Sequence, residues 1–341
     1  KVNNKGKMRE RIKWVDTAKF LGILAIYLGH AGTVLGKTYV FVWYYHVPLF
    51  FFLSGCMSIY DKEKNLGSYV IKKVKRLLLP FWAFSMIAII GYSMASDVGL
   101  AQIGALLKVV CKGNIRNTFI SPALWFLSCL FCMEILFKIM KYLKRKWILF
   151  GISVGMFLIA EKVIVPRPIV EPHWFYNLDS MFYYMIYYAA GYSIYPYLLE
   201  LFKMDTKKKG VLFGVLTMVS TIYAAFLFLG QDGLRGLDSL PVIGIFSSVI
   251  KAFLLIYVNL AFAKLLENIE ILNKIGQETL FLCGNEFIMR MLIPMVVEWV
   301  GLNITAETQI QGWFYTCLLL AAGIKVFIPI ERKVIDSSLR S

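Results

Sequence analysis

The stretch Trp14-Val-Asp-Thr-Ala-Lys-Phe-Leu-Gly-Ile-Leu-Ala-Ile-Tyr-Leu-Gly-His30 is the first of a series of long apolar runs. Two ionisable side chains, Lys19 and His30, lie in it eleven residues apart. At about 100° per residue, this spacing brings them within about 20° of one helix face, with about 16 Å of rise between them. We therefore expect both side chains to point into one cavity. Polar groups at membrane depth mark a substrate path or a reaction centre, and a histidine that only packs against a neighbouring helix is the alternative.

The composition predicts an all-α integral membrane protein. Apolar residues make up 59 % of the 341 residues, and the mean hydropathy is +0.65. Helices of a soluble domain need a polar face, which these runs lack. The net charge of +16 does not indicate nucleic-acid binding, because the basic residues lie in the short gaps between apolar runs. No cleavable signal peptide is evident.

About ten membrane-spanning helices are predicted in a single membrane domain. Each apolar run is close to the roughly 20 residues that a helix needs to cross the bilayer. We expect a cytoplasmic segment at 1–16, a transmembrane bundle at 17–330 and a cytoplasmic tail at 331–341. The segment Leu100–Val110 is predicted to lie along the membrane surface as an amphipathic helix. The predicted spans are 17–36, 41–59, 77–96, 121–140, 147–165, 178–199, 210–229, 241–263, 279–299 and 312–330.

The distribution of charge predicts the topology. Most of the 37 Lys and Arg residues fall in alternate gaps, on the side that carries both termini. Because cytoplasmic loops of membrane proteins are enriched in Lys and Arg, we expect both termini in the cytoplasm of a cell that carries this protein in its plasma or inner membrane. Aromatic clusters such as Trp43-Tyr44-Tyr45 then lie at the outer rim. They form an interfacial belt or, alternatively, stack on sugar rings.

Histidine and carboxylate side chains are the candidates for proton chemistry. His30 lies in the outer half of the first predicted span, and His46 opens the second, beyond a short outer loop. We therefore expect both to face a common cavity from adjacent helices. Histidine is suited to take a proton from a hydroxyl near neutral pH. Glu286 and Arg290 are spaced i, i+4 and form either a structural ion pair or part of the site. Asp16 is placed to hold Lys19 from one turn away.

The run Lys72-Lys-Val-Lys-Arg76-Leu-Leu-Leu-Pro80-Phe-Trp82 places four cations before the third predicted span. Such groups bind the phosphates of a cytosolic donor, and ordinary membrane anchoring is the alternative. The sequence has no P-loop and no dinucleotide-binding motif. Cys129 and Cys132 have CxxC spacing but no second pair, so we predict no metal site and no bound cofactor.

The chain resembles the acyltransferase family 3 proteins, integral membrane enzymes of ten helices. The resemblance spans nearly the whole sequence, and its second motif is specific. It looks closest to the fucose or polysaccharide O-acetylase type. Five stretches carry it, in chain order: the basic-x10-His pair Lys19 and His30, His46-Val-Pro48-Leu-Phe-Phe-Phe-Leu-Ser54-Gly55, the basic run with Lys73, Arg76 and Pro80, Pro122-Ala-Leu-Trp125-Phe-Leu, and Ile275-Gly276-x-x-Thr279-Leu.

The resemblance implies an enzyme that moves an acyl group, usually acetyl, from cytosolic acyl-CoA to a hydroxyl of an envelope or exported glycan. Acyl-CoA, the glycan acceptor and the bilayer are then its partners. His30 is expected as general base or acyl carrier, with His46 or Glu286 assisting it. Many relatives have histidine at the position of Glu286, which leaves the role of this carboxylate open. The expected acyl-CoA-binding residues are Lys19, Lys73, Lys75 and Arg76, and the expected supporting residues are Asp16, Ser54 and Trp125.

Several functions remain open at this point. The main rival is a transporter or flippase for lipid-linked glycans, in which the buried charges form a substrate path without acyl transfer. A sensor or scaffold without catalysis is another, and the separate membrane-bound O-acyltransferase family also uses a buried histidine. The acceptor, an acyl group other than acetyl, direct transfer against an acyl-histidine route, and the oligomeric state are not decided by the sequence.

Overall fold

The computed structural model of this chain describes residues 11–96, 98–116, 118, 123–241, 243–299, 301 and 306–338. The described residues form helices and connecting turns and contain no β-strand. The basic residues before Arg11, Pro122 of the fourth-span motif and residues 339–341 of the predicted tail lie outside the described residues.

Fifteen α-helices follow one another along the described chain. They are α1 Lys13–His30, α2 Lys37–Trp43, α3 His46–Met57, α4 Leu66–Lys73, α5 Leu79–Ala95, α6 Leu100–Lys112, α7 Trp125–Met140, α8 Lys146–Lys162, α9 Leu178–Lys203, α10 Lys207–Phe228, α11 Ile243–Leu265, α12 Glu270–Gln277, α13 Thr279–Trp299, α14 Gln309–Ala322 and α15 Ile328–Ser338.

Six helical segments of the described chain are long and apolar enough to cross a membrane. Helices also occupy the other four predicted spans, but α7 and α8 have only 16 and 17 residues, and α1 carries three charged side chains in its first two turns. The all-helical fold is confirmed, whereas the ten spans and the cytoplasmic termini stay predictions. The six segments are Lys37–Tyr60, Leu66–Ala95, Lys207–Phe228, Ile243–Leu265, Thr279–Trp299 and Gln309–Lys333.

The second predicted span, 41–59, begins earlier than expected and is broken. Its helix starts at Lys37, stops at Trp43 and restarts at His46. Pro48 accounts for the break, because a proline has no N–H to donate to the carbonyl oxygen four residues earlier, here that of Tyr44. At the break, Tyr45 has φ of −141°, outside the helical range. His46 is therefore the first residue of a new helix, and the bend between α2 and α3 sets the direction of its side chain.

Two other prolines widen a helix into a π-turn instead of breaking it. The turns are Val74–Leu78, before Pro80, and Gly323–Phe327, before Pro329. Each proline leaves the carbonyl group four residues earlier without its usual donor, and the backbone shifts to a wider register. The first π-turn contains Lys75 and Arg76. Its local unwinding changes the directions of these two side chains relative to a regular helix.

Glycines bring two pairs of helices into backbone contact, α3 with α9 and α1 with α12. A Cβ atom on Gly55 would lie 2.0 Å from the carbonyl oxygen of Tyr188, and one on Gly191 would lie 2.1 Å from that of Phe52. Helices α3 and α9 therefore touch through their backbones, as small residues at a helix interface allow. A Cβ on Gly276 of α12 would lie 1.8 Å from the Asp16 carbonyl oxygen. These contacts fix α3, which carries His46, against α9, and fix the start of α1 against α12.

Candidate active site

One cavity of about 1050 Å³ runs through the helix bundle. We call its two ends the Arg76 end, which is lined by Lys72, Lys73 and Arg76, and the Trp43 end, which is lined by Tyr39, Trp43 and Tyr44. The first is predicted to face the cytoplasm and the second the outside. The wall between them carries His30, His46, Ser54 and Trp125. The expectation that Lys19, His30 and His46 face a common cavity is confirmed, since all three line this one.

His30 is in contact with a buried carboxylate. Its Nδ1 atom lies 3.3 Å from Oε1 of Glu286, and the Glu286 side chain is only 1 % exposed. The same carboxylate oxygen accepts a hydrogen bond of 3.2 Å from Nη1 of Arg290. This contact does not meet the geometry of a hydrogen bond, and neither Nδ1 of His30 nor Oε2 of Glu286 has a hydrogen-bond partner among the described residues. The pair is therefore close but loosely aligned, as catalytic pairs commonly are without substrate.

His46 is held in place at the break between helices α2 and α3. Its Nδ1 lies 2.7 Å from the carbonyl oxygen of Val42, and its ring packs edge-on against Trp43 with 4.9 Å between centroids. Because a carbonyl oxygen only accepts, Nδ1 carries the proton and Nε2 keeps a lone pair. His46 is 2 % exposed. The ring of His46 thus has a fixed orientation on the cavity wall beside Trp43, whose ring also lies 6.3 Å from that of His30.

The Arg76 end combines paired and exposed cations. The ammonium group of Lys73 lies 2.5 Å from a carboxylate oxygen of Glu134, and both side chains are about nine-tenths buried. Arg76 is exposed and lines the cavity. Lys75 is also exposed but is not among the lining residues. The structure therefore brings Lys73 and Arg76 of the predicted donor-binding group to the cavity and leaves Lys75 outside it.

A second ion pair borders the same end. Lys138 donates a hydrogen bond of 2.8 Å to Asp61, a cavity-lining residue. Burial raises the pKa of Asp61, but hydrogen bonds from Lys138 and from the backbone N–H of Glu63, with the charge of Lys138, outweigh this and lower that pKa overall. Asp61 is therefore ionised at neutral pH and partly offsets the cations of the Arg76 end.

Lys19 lies on the cavity wall next to its predicted partner. Its ammonium group donates a hydrogen bond of 3.2 Å to Asp16. Asp16 is 7 % exposed and does not line the cavity. Asp16 also lies 3.9 Å from Arg11. The predicted supporting contact of Asp16 with Lys19 is confirmed.

Arg116 is not among the site residues predicted from the sequence. It lines the cavity near the loop between α8 and α9. Its guanidinium group lies 4.4 Å from the ring centroid of Trp125 and donates to the carbonyl oxygens of Pro168 and Ile169. Trp125 is 5 % exposed, and no local pattern in the sequence points to its contact with Arg116, which lies nine residues earlier. The predicted supporting residue Trp125 thus carries a cation on its face.

The described residues contain no group of three His, Cys, Asp or Glu side chains placed to hold a metal ion. Cys129 is buried and Cys132 is partly buried, and both are free thiols. His173 is on the loop before α9, 3.5 Å from Asp179, and its side chain is 41 % exposed. It does not line the cavity, which leaves His30 and His46 as the histidines of this site among the described residues.

Comparison with known proteins gives one family. A family model with the description "Acyltransferase domain" matches residues 12–330, which include every predicted site residue. No curated protein matches the chain, and no solved structure matches it either. The match covers the same stretch as the helices that enclose the cavity.

Proposed function

Because the chain belongs to acyltransferase family 3, we propose that it transfers an acyl group, acetyl by default, from cytosolic acyl-CoA to a hydroxyl group of an envelope or exported glycan. One observation carries the proposal. His30, whose ring contacts the buried carboxylate of Glu286, lines a single cavity that joins cations at one end to aromatic rings at the other. A donor with phosphates and an acceptor with sugar rings can thus reach one histidine from opposite ends.

The Arg76 end is suited to the donor. Arg76 is free to form bidentate contacts with a phosphate group, and Lys73 supplies a point charge. In the ligand-free structure Lys73 is paired with Glu134, so a bound phosphate competes with this carboxylate. Lys19, which lies on the cavity wall about 16 Å below His30 along α1, adds a cation on the path of the thioester arm.

His30 is the proposed base of the reaction. With Glu286 at Nδ1, the neutral ring keeps its proton on that nitrogen and presents a lone pair at Nε2. Nε2 accepts the proton of the acceptor hydroxyl while the hydroxyl oxygen attacks the thioester carbonyl carbon. The C–S bond then breaks, and the CoA thiolate leaves with the proton from His30. Glu286 stabilises the imidazolium between these two steps.

A two-step route uses the same atoms. Nε2 of His30 attacks the thioester carbonyl carbon, the C–S bond breaks, and CoA leaves as the thiolate. The acceptor hydroxyl oxygen then attacks the acyl carbon, the C–N bond to Nε2 breaks to give back the neutral imidazole, and the CoA thiolate takes up the hydroxyl proton. His46 lies beside Trp43 at the predicted acceptor side and is placed to orient the hydroxyl in either route. Ping-pong kinetics would support the two-step route.

The test is release of free CoA thiol from acetyl-CoA by inside-out membrane vesicles that contain the protein. We expect release that rises when envelope glycan is supplied and that falls by about 10²–10⁴-fold in His30→Ala. His173→Ala is the matched control, because His173 is exposed on a loop away from the cavity. A wild type that releases no CoA from several acyl-CoAs and acceptors would favour the rival function, transport of a lipid-linked glycan along the same cavity.

A further inference from the structure

Arg116 is a cavity-lining cation without a carboxylate partner among the described residues. Apart from Lys141, which donates to the carbonyl oxygen of Ser58, the other half-buried or buried cations among the described residues pair with acids. Lys73 lies 2.5 Å from Glu134, Lys138 lies 2.8 Å from Asp61, and Lys251 lies 2.6 Å from Asp232. Withdrawing a charge from water without a counter-charge is costly, so folded chains rarely leave one unpaired. The lack of a carboxylate beside Arg116 among the described residues is therefore unusual.

The surroundings of Arg116 hold its guanidinium group firmly but leave its charge uncompensated. Its Nη1 donates to the carbonyl oxygen of Pro168 at 3.0 Å and to Oγ of Ser180 at 3.1 Å, and its Nη2 donates to the carbonyl oxygen of Ile169 at 3.1 Å. All three acceptors are neutral. The face of the group lies on Trp125, with the ring of Tyr184 5.9 Å away. The cation is thus pre-positioned, which lowers the entropy that a ligand loses when it binds there.

The location of Arg116 relates it to the acceptor rather than to the donor. Arg116 lies on Trp125, the first residue of α7, whereas the carboxylate that holds Lys73 is that of Glu134, about 14 Å further along the same helix. The donor cations Lys73 and Arg76 are at the other end of the cavity. An anion at Arg116 would therefore belong to a molecule that reaches the histidines from the predicted outer side.

We propose that Arg116 binds a carboxylate group of the acceptor and makes the site selective for acidic glycans, such as those that contain uronic acids. This inference rests on the proposed function, since it names the class of acceptor for the same site. Trp125 covers one face of the guanidinium group, and the loop and Ser180 take three of its five N–H groups, so a carboxylate is bound through the N–H groups that these contacts leave at Nη2 and Nε. The aromatic side chains of the Trp43 end then supply the surface for the sugar rings.

The first test measures binding alone. The full-length protein in nanodiscs is titrated with three oligosaccharides that contain uronic acids, each compared with its carboxyl-reduced, neutral counterpart. We expect at least one acidic member to bind about 30-fold more tightly than its counterpart or better, which is the lower range for a charge pair in a desolvated site. Arg116→Gln should abolish this preference and Arg116→Lys should keep part of it. Arg167→Gln, which removes an exposed cation outside the cavity, should leave it unchanged.

Two results would overturn the inference. One is that no acidic oligosaccharide binds better than its neutral counterpart to the wild type. The other is that Arg116→Gln weakens acidic and neutral members equally, as expected if Arg116 only holds the loop of Pro168 and Ile169 against α9. The ratio of the two affinities does not depend on the fraction of folded protein, so it separates these cases.

The second test follows CoA release with the same paired acceptors. If acidic acceptors are preferred in binding but no CoA is released with any of them, the proposed acyl transfer fails and the acidic site stands. If CoA is released equally with neutral and acidic acceptors, acyl transfer stands and the acidic site fails. For acidic acceptors, we expect Arg116→Gln to raise KM by about 30-fold or more, whereas Arg167→Gln should keep the KM of the wild type.

Discussion

Oε1 of Glu286 lies 3.3 Å from Nδ1 of His30, so a buried carboxylate from α13 stands behind the histidine of α1. The sequence separates these residues by most of the chain, and only the packing of α13 against α1 brings them together. Arg290 binds the same oxygen from one turn further along α13. The i, i+4 spacing of Glu286 and Arg290 predicted either a structural ion pair or part of the site. Both interpretations are compatible with the structure, because the ion pair forms and its carboxylate also contacts His30.

Replacing Glu286 with glutamine should lower kcat by about 100-fold or more, with little change in KM for acyl-CoA. The amide cannot stabilise an imidazolium, and it can present its NH₂ group to Nδ1, which favours the wrong tautomer of His30. The measurement is steady-state CoA release in vesicles. Glu298→Gln at the end of α13 serves as the matched control. A loss below threefold in Glu286→Gln would show that this carboxylate has only a structural role.

Arg76 and Lys75 are neighbours with different positions relative to the cavity. Arg76 lines it, and Lys75 is exposed outside it. Arg76→Ala should therefore raise KM for acyl-CoA by about tenfold, the cost of one charge-assisted hydrogen bond, while kcat changes little. Lys75→Ala should behave as wild type and is the control for net charge. Equal effects of the two substitutions would indicate that this basic run acts only as a membrane anchor.

The sequence predicted most of the helices because their signals are local. Apolar runs of the right length, and the i, i+4 and i, i+11 spacings, depend on neighbours along one helix. The cavity-lining positions of Lys19 and His30 follow from such a spacing, as does the contact of Asp16 with Lys19. The restart of the second segment at His46 was missed, although Pro48 gave the physical reason for it.

Contacts between distant segments could not be predicted from one sequence. The pairing of Lys73 with Glu134, and the position of Arg116 on Trp125, depend on how α4, α7 and the loop before α9 pack. In the sequence, Arg116 is one basic residue in a polar gap, with nothing to separate it from Lys108 or Lys112. The prediction of ten membrane-spanning helices is limited for a different reason. Short helices such as α7, with 16 residues, do not meet the length of a spanning helix on their own.

Gly55→Ala should destabilise the protein strongly. The added Cβ would lie 2.0 Å from the carbonyl oxygen of Tyr188, which is backbone and cannot rotate away, so α3 and α9 must separate. Overpacking of this kind costs about 1–3 kcal/mol or more. The measurement is the thermal unfolding midpoint in detergent, together with the yield of folded protein. Gly151→Ala on α8 is the control, because its Cβ would meet nothing within 4 Å. Equal midpoints for the two variants would contradict the backbone contact of α3 with α9.

Lys141 should make stability depend on pH in the alkaline range. Burial, with the charges of Lys138 and Lys73, lowers the pKa of Lys141 to about 8, although the charge of Asp61 opposes this. An unfolded chain therefore binds more protons at this site between about pH 8 and pH 10.5, and stability rises with pH across that window. Lys141→Met keeps the stem against Tyr192 but has no charge to lose. From pH 7.5 to pH 9.5, we expect the unfolding midpoint of the wild type to gain about 2 °C on that of Lys141→Met. A difference that is constant with pH, or that changes in the opposite direction, would show that the ammonium group of Lys141 is stabilised where it donates to the carbonyl oxygen of Ser58.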